Sequence, residues 1–298
     1  AMKINTGQAS CTLAGGIEMM SRVPMLSDQA SMFADGALAL DNRMLMMGSG
    51  ADLIASLNNI SRQQVDQIAL QSQRRAALAR NQGYFKSIIP VYNPVKDCWV
   101  NEDECIRPEL GPEDLAQLKP YFAELGATGV DALQLTEHPS LQAISHVHTA
   151  GNSPAMADAA SLVLLGDKSL QGQGLVPRAR ILAATTLCND PLQVVSGCAA
   201  ATAKLLLDQG LTSADIDLFE LHEAFAATSI KCQRDLEIGA DRLNVNGGVI
   251  ALGHPMGATG GIMLGMLIDE LERRDLQTGV VATSGAAGIG TALLIERI

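Results

Sequence analysis

The sequence has no surplus of positive charge, and this absence excludes one large class of functions. Its 298 residues include 21 lysines and arginines against 32 aspartates and glutamates, which gives a net charge of −11. No basic stripe offsets that acidity, so the composition argues against binding to nucleic acid. An anionic substrate would need a local cluster of basic side chains, and none stands out in the sequence.

Long apolar runs and paired cysteines are missing as well. No run is long enough to span a membrane, and the first residues have no secretory pattern. The six cysteines include no CxxC pair and no metal-ligand spacing, which indicates reduced thiols and a cytoplasmic protein. His146 and His148 alternate at a predicted strand end, but no cysteine or carboxylate lies near them in sequence, so no metal site is predicted.

The composition that is present indicates a globular protein with two packed cores or one large domain. Hydrophobic residues make up 47% of the chain and charged residues 18%. Residues 1–24 read as the end of a helix, a short strand and a turn. Ser61 and Gln64 resemble a capping box that begins an amphipathic helix ending near Gln82. Residues 93–120 are rich in proline and charge and are predicted to form an extended surface loop.

Strand and helix patterns alternate through the second half of the chain. Residues 158–167 and 178–186 are apolar enough to be buried parallel strands. Residues 198–210 follow as a helix, and residues 215–225 run from a strand into a helix. A last helix and two strands close the chain. This alternation predicts an α/β fold in which helices cover a sheet.

The segment NVNGGVIALGHPMGATGG, residues 244–261, is the first candidate site. Its glycines let the backbone approach a ligand and adopt positive φ, and Pro255 restricts the conformation of His254. The residues that follow are predicted to form a helix, so free N–H groups should lie near the histidine. The segment is therefore either part of a catalytic site or a tight turn with an incidental histidine.

Two further motifs lie in the last third of the chain. His222 and Glu223 follow a predicted strand, where α/β sheets place their sites, although a capped strand end explains them equally well. Ser284 to Gly290 is predicted to be a tight turn whose N–H groups could stabilise an oxyanion or merely let two strands pass closely. Its glycine spacing is not a dinucleotide motif, because a strand follows it instead of a helix.

Together, the GHP segment, HEAFA at 222–226 and SGAAGIG at 284–290 resemble the carboxy-terminal half of the thiolase family of acyl-CoA acyltransferases. The resemblance extends back through HTAGNS at 148–153 to AGGIEMMSRVP at 14–24. It implies two similar βαβαβ halves with an inserted loop domain and a truncated first half. The implied boundaries are 1–24 and 149–177 for the first half, 25–148 for the loop domain, and 178–298 for the second half.

The resemblance also implies roles for individual residues. His254 matches the histidine that activates the nucleophilic cysteine, and His222 stands where many members have an asparagine that positions an oxyanion-hole water. Ser284 stands where the family has its second, acid/base cysteine. The backbone of Gly285 and Ala286 matches the second oxyanion hole. The residues implied to bind substrate are Asn152, Ser153, Pro154 and Gly253.

Three departures from the family pattern are expected to affect activity. The nucleophilic cysteine should lie on a CxSG turn about ten residues before Ala1, and Cys11 resembles a buried strand position instead. A serine at 284 is a far poorer base than a thiol near neutral pH. Pro154 replaces a small hydroxyl residue that often contacts coenzyme A. The chain as printed is therefore expected to be inactive.

The leading hypothesis is an acyltransferase that uses acyl-CoA and coenzyme A as substrates, with no cofactor and no metal. Homodimers or homotetramers are implied by the resemblance. One alternative is a non-catalytic thiolase-like subunit that binds acyl-CoA or a partner chain. Another is a degenerate gene product that barely folds.

Overall fold

The computed structural model describes residues 1–298. Its helices are α1 (Met2–Asn5), α2 (Ser31–Ala34), α3 (Gly36–Asp41), α4 (Met47–Leu57), α5 (Arg62–Asn81), α6 (Pro112–Ala116), α7 (Ala123–Leu125), α8 (Asp131–Glu137), α9 (Gly197–Asp208), α10 (Ala226–Asp235), α11 (Val249–Leu252) and α12 (Thr259–Arg274). Its strands are β1 (Cys11–Met19), β2 (Val91–Asn93), β3 (Cys98–Val100), β4 (Asp158–Gly166), β5 (Ala179–Cys188), β6 (Leu218–Leu221), β7 (Thr278–Ser284) and β8 (Ile289–Arg297). No helix combines the length and the apolar character needed to cross a membrane.

The carboxy-terminal part of the chain forms a mixed four-stranded sheet in the order β5-β8-β7-β6. Strands β6 and β7 run parallel, whereas β8 pairs antiparallel with both β5 and β7. One face packs against α9 and α10 through a buried cluster that includes Phe219 and Leu294. The other face packs against α12 through Leu218, Leu267 and Ile295. Because both faces are covered, all four residues of β6 are buried.

A second, two-stranded sheet consists of β1 and β4, which pair antiparallel along their whole length. Its inner face meets the segment that leads into α12. Ser161 Oγ donates a hydrogen bond of 2.8 Å to the carbonyl of Ala258. Gly16 lies so close to the backbone of Gly257 that any side chain there would collide with it. This contact joins the two-stranded sheet to the glycine-rich segment singled out in the sequence.

The outer face of this small sheet is exposed and apolar. Leu13, Ile17, Leu162 and Leu164 are 64%, 75%, 69% and 48% exposed, respectively. The predicted strand at 158–167 is confirmed in position, but its predicted burial and parallel pairing are wrong, because exposure alternates residue by residue along an antiparallel pair. The same correction applies to the predicted strand at 178–186, which forms β5 at an edge of the larger sheet.

Helices α4 and α5 pack against α10 and share one large apolar cluster with it. The predicted capping box is confirmed at the start of α5. The N–H of Gln64 donates to Ser61 Oγ at 3.3 Å, and the N–H of Ser61 donates to Gln64 Oε1 at 2.9 Å. These reciprocal bonds satisfy N–H groups that have no partner inside the helix. The long helix that supports the site is therefore specified locally.

Two predictions for the middle of the chain are corrected. Residues 93–120 are not a simple loop, because β2 and β3 form a hairpin at the start of this segment and α6 begins at Pro112. His146 and His148 lie on an extended segment without strand pairing, so the predicted strand end is wrong. Both side chains instead face carboxylates that are distant in sequence, as described below.

Candidate active site

The three motifs predicted to carry chemistry meet at one end of the four-stranded sheet. His222 follows β6 and Ser284 ends β7, and the parallel pairing of Leu221 with Ala282 puts both at the carboxyl edge. The N–H of His222 donates to the Ala282 carbonyl at 2.9 Å. The rings of His222 and His254 lie 4.5 Å apart between centroids, with a 48° angle between their planes.

His254 is oriented by the preceding Gly253, by the carbonyl of Ala155 and by the start of α12. Gly253 has φ of 88° and ψ of 162°, a conformation that is essentially restricted to glycine. The N–H of His254 donates to the Ala155 carbonyl at 2.8 Å. Its ring Nδ1 lies 2.8 Å from Thr259 Oγ1, at the first residue of α12. With Nδ1 engaged, Nε2 is the nitrogen left for chemistry.

Glu223 connects the HEAFA turn to the glycine-rich segment. Its Oε2 accepts hydrogen bonds from Ser72 Oγ at 2.8 Å and from the N–H of Ile250 at 3.2 Å. Ser72 Oγ in turn accepts the N–H of Gly248 at 2.9 Å. A side chain at Gly248 would collide with the Glu223 carboxyl group. The carboxylate therefore fixes the loop that carries His254 relative to the strand that carries His222.

Comparison with known proteins matches this arrangement to one family. Models of the thiolase N-terminal domain and the thiolase C-terminal domain match residues 1–137 and 175–297. The 3-ketoacyl-CoA thiolase of Serratia proteamaculans is 38% identical over 307 residues, which cover 100% of this chain and 74% of that one. The 3-ketoacyl-CoA thiolase of Cronobacter sakazakii is 36% identical with the same coverage. The chain belongs to the thiolase family.

Solved structures agree with this assignment. The dimeric peroxisomal thiolase of Saccharomyces cerevisiae is 30% identical with a TM-score of 0.83, and the match covers 100% of this chain and 71% of that one. Human mitochondrial 3-ketoacyl-CoA thiolase in complex with CoA is 29% identical with a TM-score of 0.83, covering 100% and 73%. The expected thiolase-like α/β fold is confirmed, and the chain is an acyltransferase of the thiolase type.

Both histidines of the thiolase site are held neutral at physiological pH. Burial lowers the pKa of His254 to about 4. Burial, together with the neighbouring His254, lowers the pKa of His222 to about 3. A neutral imidazole can accept a proton, so His254 has the protonation state that a general base needs. Both ring nitrogens of His222 are buried, and the backbone of Ser284 is the polar group that faces the ring.

The turn that follows β7 differs from the predicted oxyanion hole at one position. The N–H of Gly285 donates to the Ile289 carbonyl at 2.8 Å, so it is already engaged within the turn. Ala286 is the neighbouring residue and remains the candidate donor. Ser284 Oγ accepts the N–H of Cys198 at 2.9 Å. In this bond Oγ is the acceptor, so the hydroxyl proton of Ser284 remains available to donate to another group.

The HTAGNS loop reaches the site through its backbone. Asn152 is fully buried, and its amide donates to Asp66 Oδ1 at 2.8 Å while its Oδ1 accepts the N–H of Thr149 at 2.8 Å. These contacts hold the loop in place and leave the Asn152 side chain no free group for a ligand. Ser153 Oγ is buried without a partner. Pro154 lies between Ser153 and Ala155, and the carbonyl of Ala155 accepts the N–H of His254.

A large cleft of about 1770 Å³ opens beside the site. His222, Gly253 and Thr259 line one end of it, and β4, β5 and α12 line its length. Most of the lining residues are hydrophobic. Pockets for small molecules usually measure about 300–1,000 Å³. The cleft is therefore larger than a typical pocket for a drug-sized molecule.

Three residues at the site were missed from the sequence. Thr259 lies five positions after His254, and a hydroxyl at a helix start was an available signal for it. Ser72 lies on α5, 151 residues from Glu223, and nothing local points to it. Cys105 packs against Gly253, where a Cβ would come within 3.1 Å of its sulfur. Cys11, expected to be buried, is instead exposed at the start of β1.

Proposed function

We propose that this thiolase cleaves 3-ketoacyl-CoA with coenzyme A to give acetyl-CoA and an acyl-CoA two carbons shorter, or runs the reverse condensation. The contact between the neutral rings of His254 and His222 at the edge of an apolar cleft carries the proposal. The Serratia and Cronobacter relatives are named 3-ketoacyl-CoA thiolases, which supports this substrate class. We place the activity in cytoplasmic β-oxidation, with coenzyme A as a substrate and no further cofactor.

In this mechanism His254 takes the proton from the cysteine thiol that the family resemblance implies. The thiolate attacks the keto carbon, and the bond between C2 and C3 breaks. The departing acetyl-CoA carbanion receives a proton at C2 from the group at position 284. The acyl group remains as a cysteine thioester until the thiol of a second coenzyme A displaces it. His222 and the Ala286 N–H face the oxygens on which negative charge develops.

Replacing His254 tests this function directly. His254→Asn, in the protein expressed from the complete reading frame of its gene, removes the base while keeping a polar side chain of similar shape. We expect kcat for thiolysis of acetoacetyl-CoA to fall by about 10²- to 10⁴-fold, because that is the usual contribution of a general base. An unchanged melting temperature would show that folding is intact. Equal turnover by the variant and the parent would refute the role of His254.

Position 284 provides the complementary variant. Ser284→Cys introduces a thiol, whose ordinary pKa near 8.5 suits proton transfer better than that of a hydroxyl. We expect kcat to rise while the KM for coenzyme A stays within about twofold, since only the proton-transfer step should improve. Ser284→Ala serves as the matched control and should not gain activity.

A second candidate is a thiolase-like subunit that binds acyl-CoA without turnover. The proline at 154 and the serine at 284, whose hydroxyl already accepts the Cys198 N–H, favour it. Calorimetric titration with acetyl-CoA separates the two functions. Binding without turnover by the parent and by Ser284→Cys supports the second candidate, whereas turnover excludes it.

We also propose that the protein assembles as a homodimer or a homotetramer. The yeast structural neighbour is described as dimeric, which supports the smaller assembly. Light scattering coupled to size-exclusion chromatography measures the mass directly. A monomeric mass across the concentration range would refute this assembly.

A further inference from the structure

The HTAGNS loop caps the helix that follows the HEAFA turn. The first N–H groups of any helix lack partners within it, and Phe225, the residue before α10, provides no capping side chain. The HTAGNS loop instead supplies acceptors for these N–H groups. The N–H of Ala226 donates to the Asn152 carbonyl at 3.2 Å, and the N–H of Ala227 donates to His148 Nε2 at 3.3 Å.

These contacts fix the tautomer and the orientation of His148. A backbone N–H can only donate, so the Nε2 that accepts it carries no proton. The proton is therefore on Nδ1, which donates to Asp52 Oδ1 at 2.7 Å. Both side chains are completely buried. The ring also packs edge-to-face on Phe225, with 5.2 Å between ring centroids.

Asp52 has anchors besides the His148 side chain. It accepts the N–H of Val147 at 3.1 Å, the N–H of residue 148 at 3.2 Å, and His146 Nδ1 at 2.9 Å. Burial raises the pKa of Asp52, but the hydrogen bonds from the two histidines outweigh it, and the pKa lies below its ordinary value. The charged carboxylate on α4 is thus a fixed point against which the His148 ring is held.

His222 depends on the backbone of its turn for its own position. No side chain donates to or accepts from its ring nitrogens, and the backbone of Ser284 is the polar group that faces the ring, so the backbone and packing orient it. Before the turn, Leu221 exchanges two hydrogen bonds of 2.8 Å with the Asn244 side chain. Within the turn, the N–H of His222 donates to the Ala282 carbonyl at 2.9 Å, and the Glu223 side chain accepts from Ser72 and Ile250. The next backbone attachment to another segment is the cap on α10.

We propose that His148 is a positioning residue for His222, because it accepts the Ala227 N–H and thereby holds the turn that carries His222 at the site. This inference rests on the proposed function for its effect on turnover, but not for its effect on structure. Asp52, His148 and Ala227 form one hydrogen-bonded path from α4 to the start of α10, which follows the turn that carries His222.

Three variants separate this role from simple packing. In His148→Asn, the side-chain amide lies near the position of Nδ1 and can still donate to Asp52. The variant lacks an acceptor at the position of Nε2, so the Ala227 N–H loses its partner. His148→Gln places an amide oxygen near the position of Nε2 and should restore that acceptor. His146→Asn is the matched control, since it removes a histidine from the same carboxylate without touching α10.

The first measurements need no turnover. Amide hydrogen exchange at Ala227 should accelerate at least tenfold in His148→Asn and remain as in the parent in His148→Gln and His146→Asn. The ring proton resonance of His222 should shift in His148→Asn alone. Unchanged exchange and an unchanged His222 resonance in a folded His148→Asn would overturn the proposal. If His148→Asn does not fold, a His148→Gln variant with parental exchange and resonance supports it, and a perturbed one overturns it.

Kinetics supply the third readout. We expect His148→Asn to lower kcat for thiolysis by about tenfold to a hundredfold with KM within about twofold, because a small displacement of a site residue has effects of this size. His148→Gln should recover most of the loss, and His146→Asn should retain parental kcat. An inert parent would refute the proposed function alone, since the exchange and resonance measurements still decide the positioning role.

Discussion

The two sheets of this thiolase have contrasting surroundings, although both contribute to one site. The four-stranded sheet is covered on both faces at β6 and β7, although alternate residues of its edge strand β5 are exposed. Strands β6 and β8 contribute Leu218, Phe219, Leu294 and Ile295 to the fully buried core. The β1–β4 pair packs on one face only and presents leucines and an isoleucine on the other. Apolar surface is stabilising only where it is removed from water. Stability and site geometry should therefore depend mainly on the larger sheet.

The site lies where the two sheets meet, and the polar contacts there are distributed unequally. On the side of the larger sheet, Glu223 is buried and accepts hydrogen bonds from Ser72 and Ile250. On the side of the smaller sheet, Glu18 accepts the Gly257 N–H at 3.4 Å from a half-buried position at the surface. The first arrangement is a buried network that fixes geometry, whereas the second is a weak surface contact. The larger sheet and its loops thus define the site.

The largest expected difference between the two sheets is in the stability lost when a leucine is shortened to alanine. Leu294→Ala on β8 removes a side chain that is 2% exposed, and we expect a loss of about 2–5 kcal/mol in the free energy of unfolding. Leu162→Ala on β4 removes one that is 69% exposed and should change stability by no more than about 0.5 kcal/mol. Urea denaturation measures both. A comparable loss in Leu162→Ala would mean that the outer face of β4 is covered in solution.

The neutral histidines at the junction predict an effect of pH. The unfolded chain protonates His254 below its ordinary pKa of 6.5, whereas the folded chain does so only near 4. The unfolded state therefore binds more protons between these values, and stability falls as the pH drops from about 6.5 towards 4. The contribution of this one group is on the order of 3 kcal/mol.

The variant His254→Asn isolates this effect from the titration of carboxylates. Subtracting its unfolding free energy from that of the parent at each pH removes contributions that both proteins share. We expect the difference to grow in favour of the variant as the pH falls through the window from 6.5 to 4. A difference that stays constant across this window would show that His254 is not held neutral by burial.

Elements specified by local chemistry were predictable from the sequence. The capping box of Ser61 and Gln64 gave the start of α5 to within a residue, since its hydrogen bonds span only three positions. The glycine-rich segment was identified for a similar reason, because Gly253 adopts a conformation that other residues avoid. The resemblance carried by the GHP, HEAFA and SGAAGIG segments then gave the family and the fold.

Features that depend on tertiary contacts were not predictable. The apolar content of residues 158–167 indicated a buried strand, but burial is decided by what packs on each face, and composition does not contain that information. The bond between Ser72 and Glu223 joins positions 151 residues apart. His148 was considered only as a metal ligand, because its partners Asp52 and Ala227 lie 96 and 79 residues away.

The smallest expected difference is between the stability losses at two glycines with positive φ, one near the smaller sheet and one in the glycine-rich segment. Gly7→Ala, near the start of β1, places a Cβ at φ of 71° with no atom within 4 Å, so we expect a loss of about 1 kcal/mol from backbone strain alone. Gly253→Ala adds a collision, because its Cβ would lie 2.8 Å from that of Ala157 and 3.1 Å from the sulfur of Cys105. We expect a further loss of about 1–3 kcal/mol there, the usual range for overpacking, measured by urea denaturation. Equal losses in the two variants would mean that the glycine-rich segment moves away from Ala157 and Cys105 at little cost, and that His254 is less firmly placed than its contacts indicate.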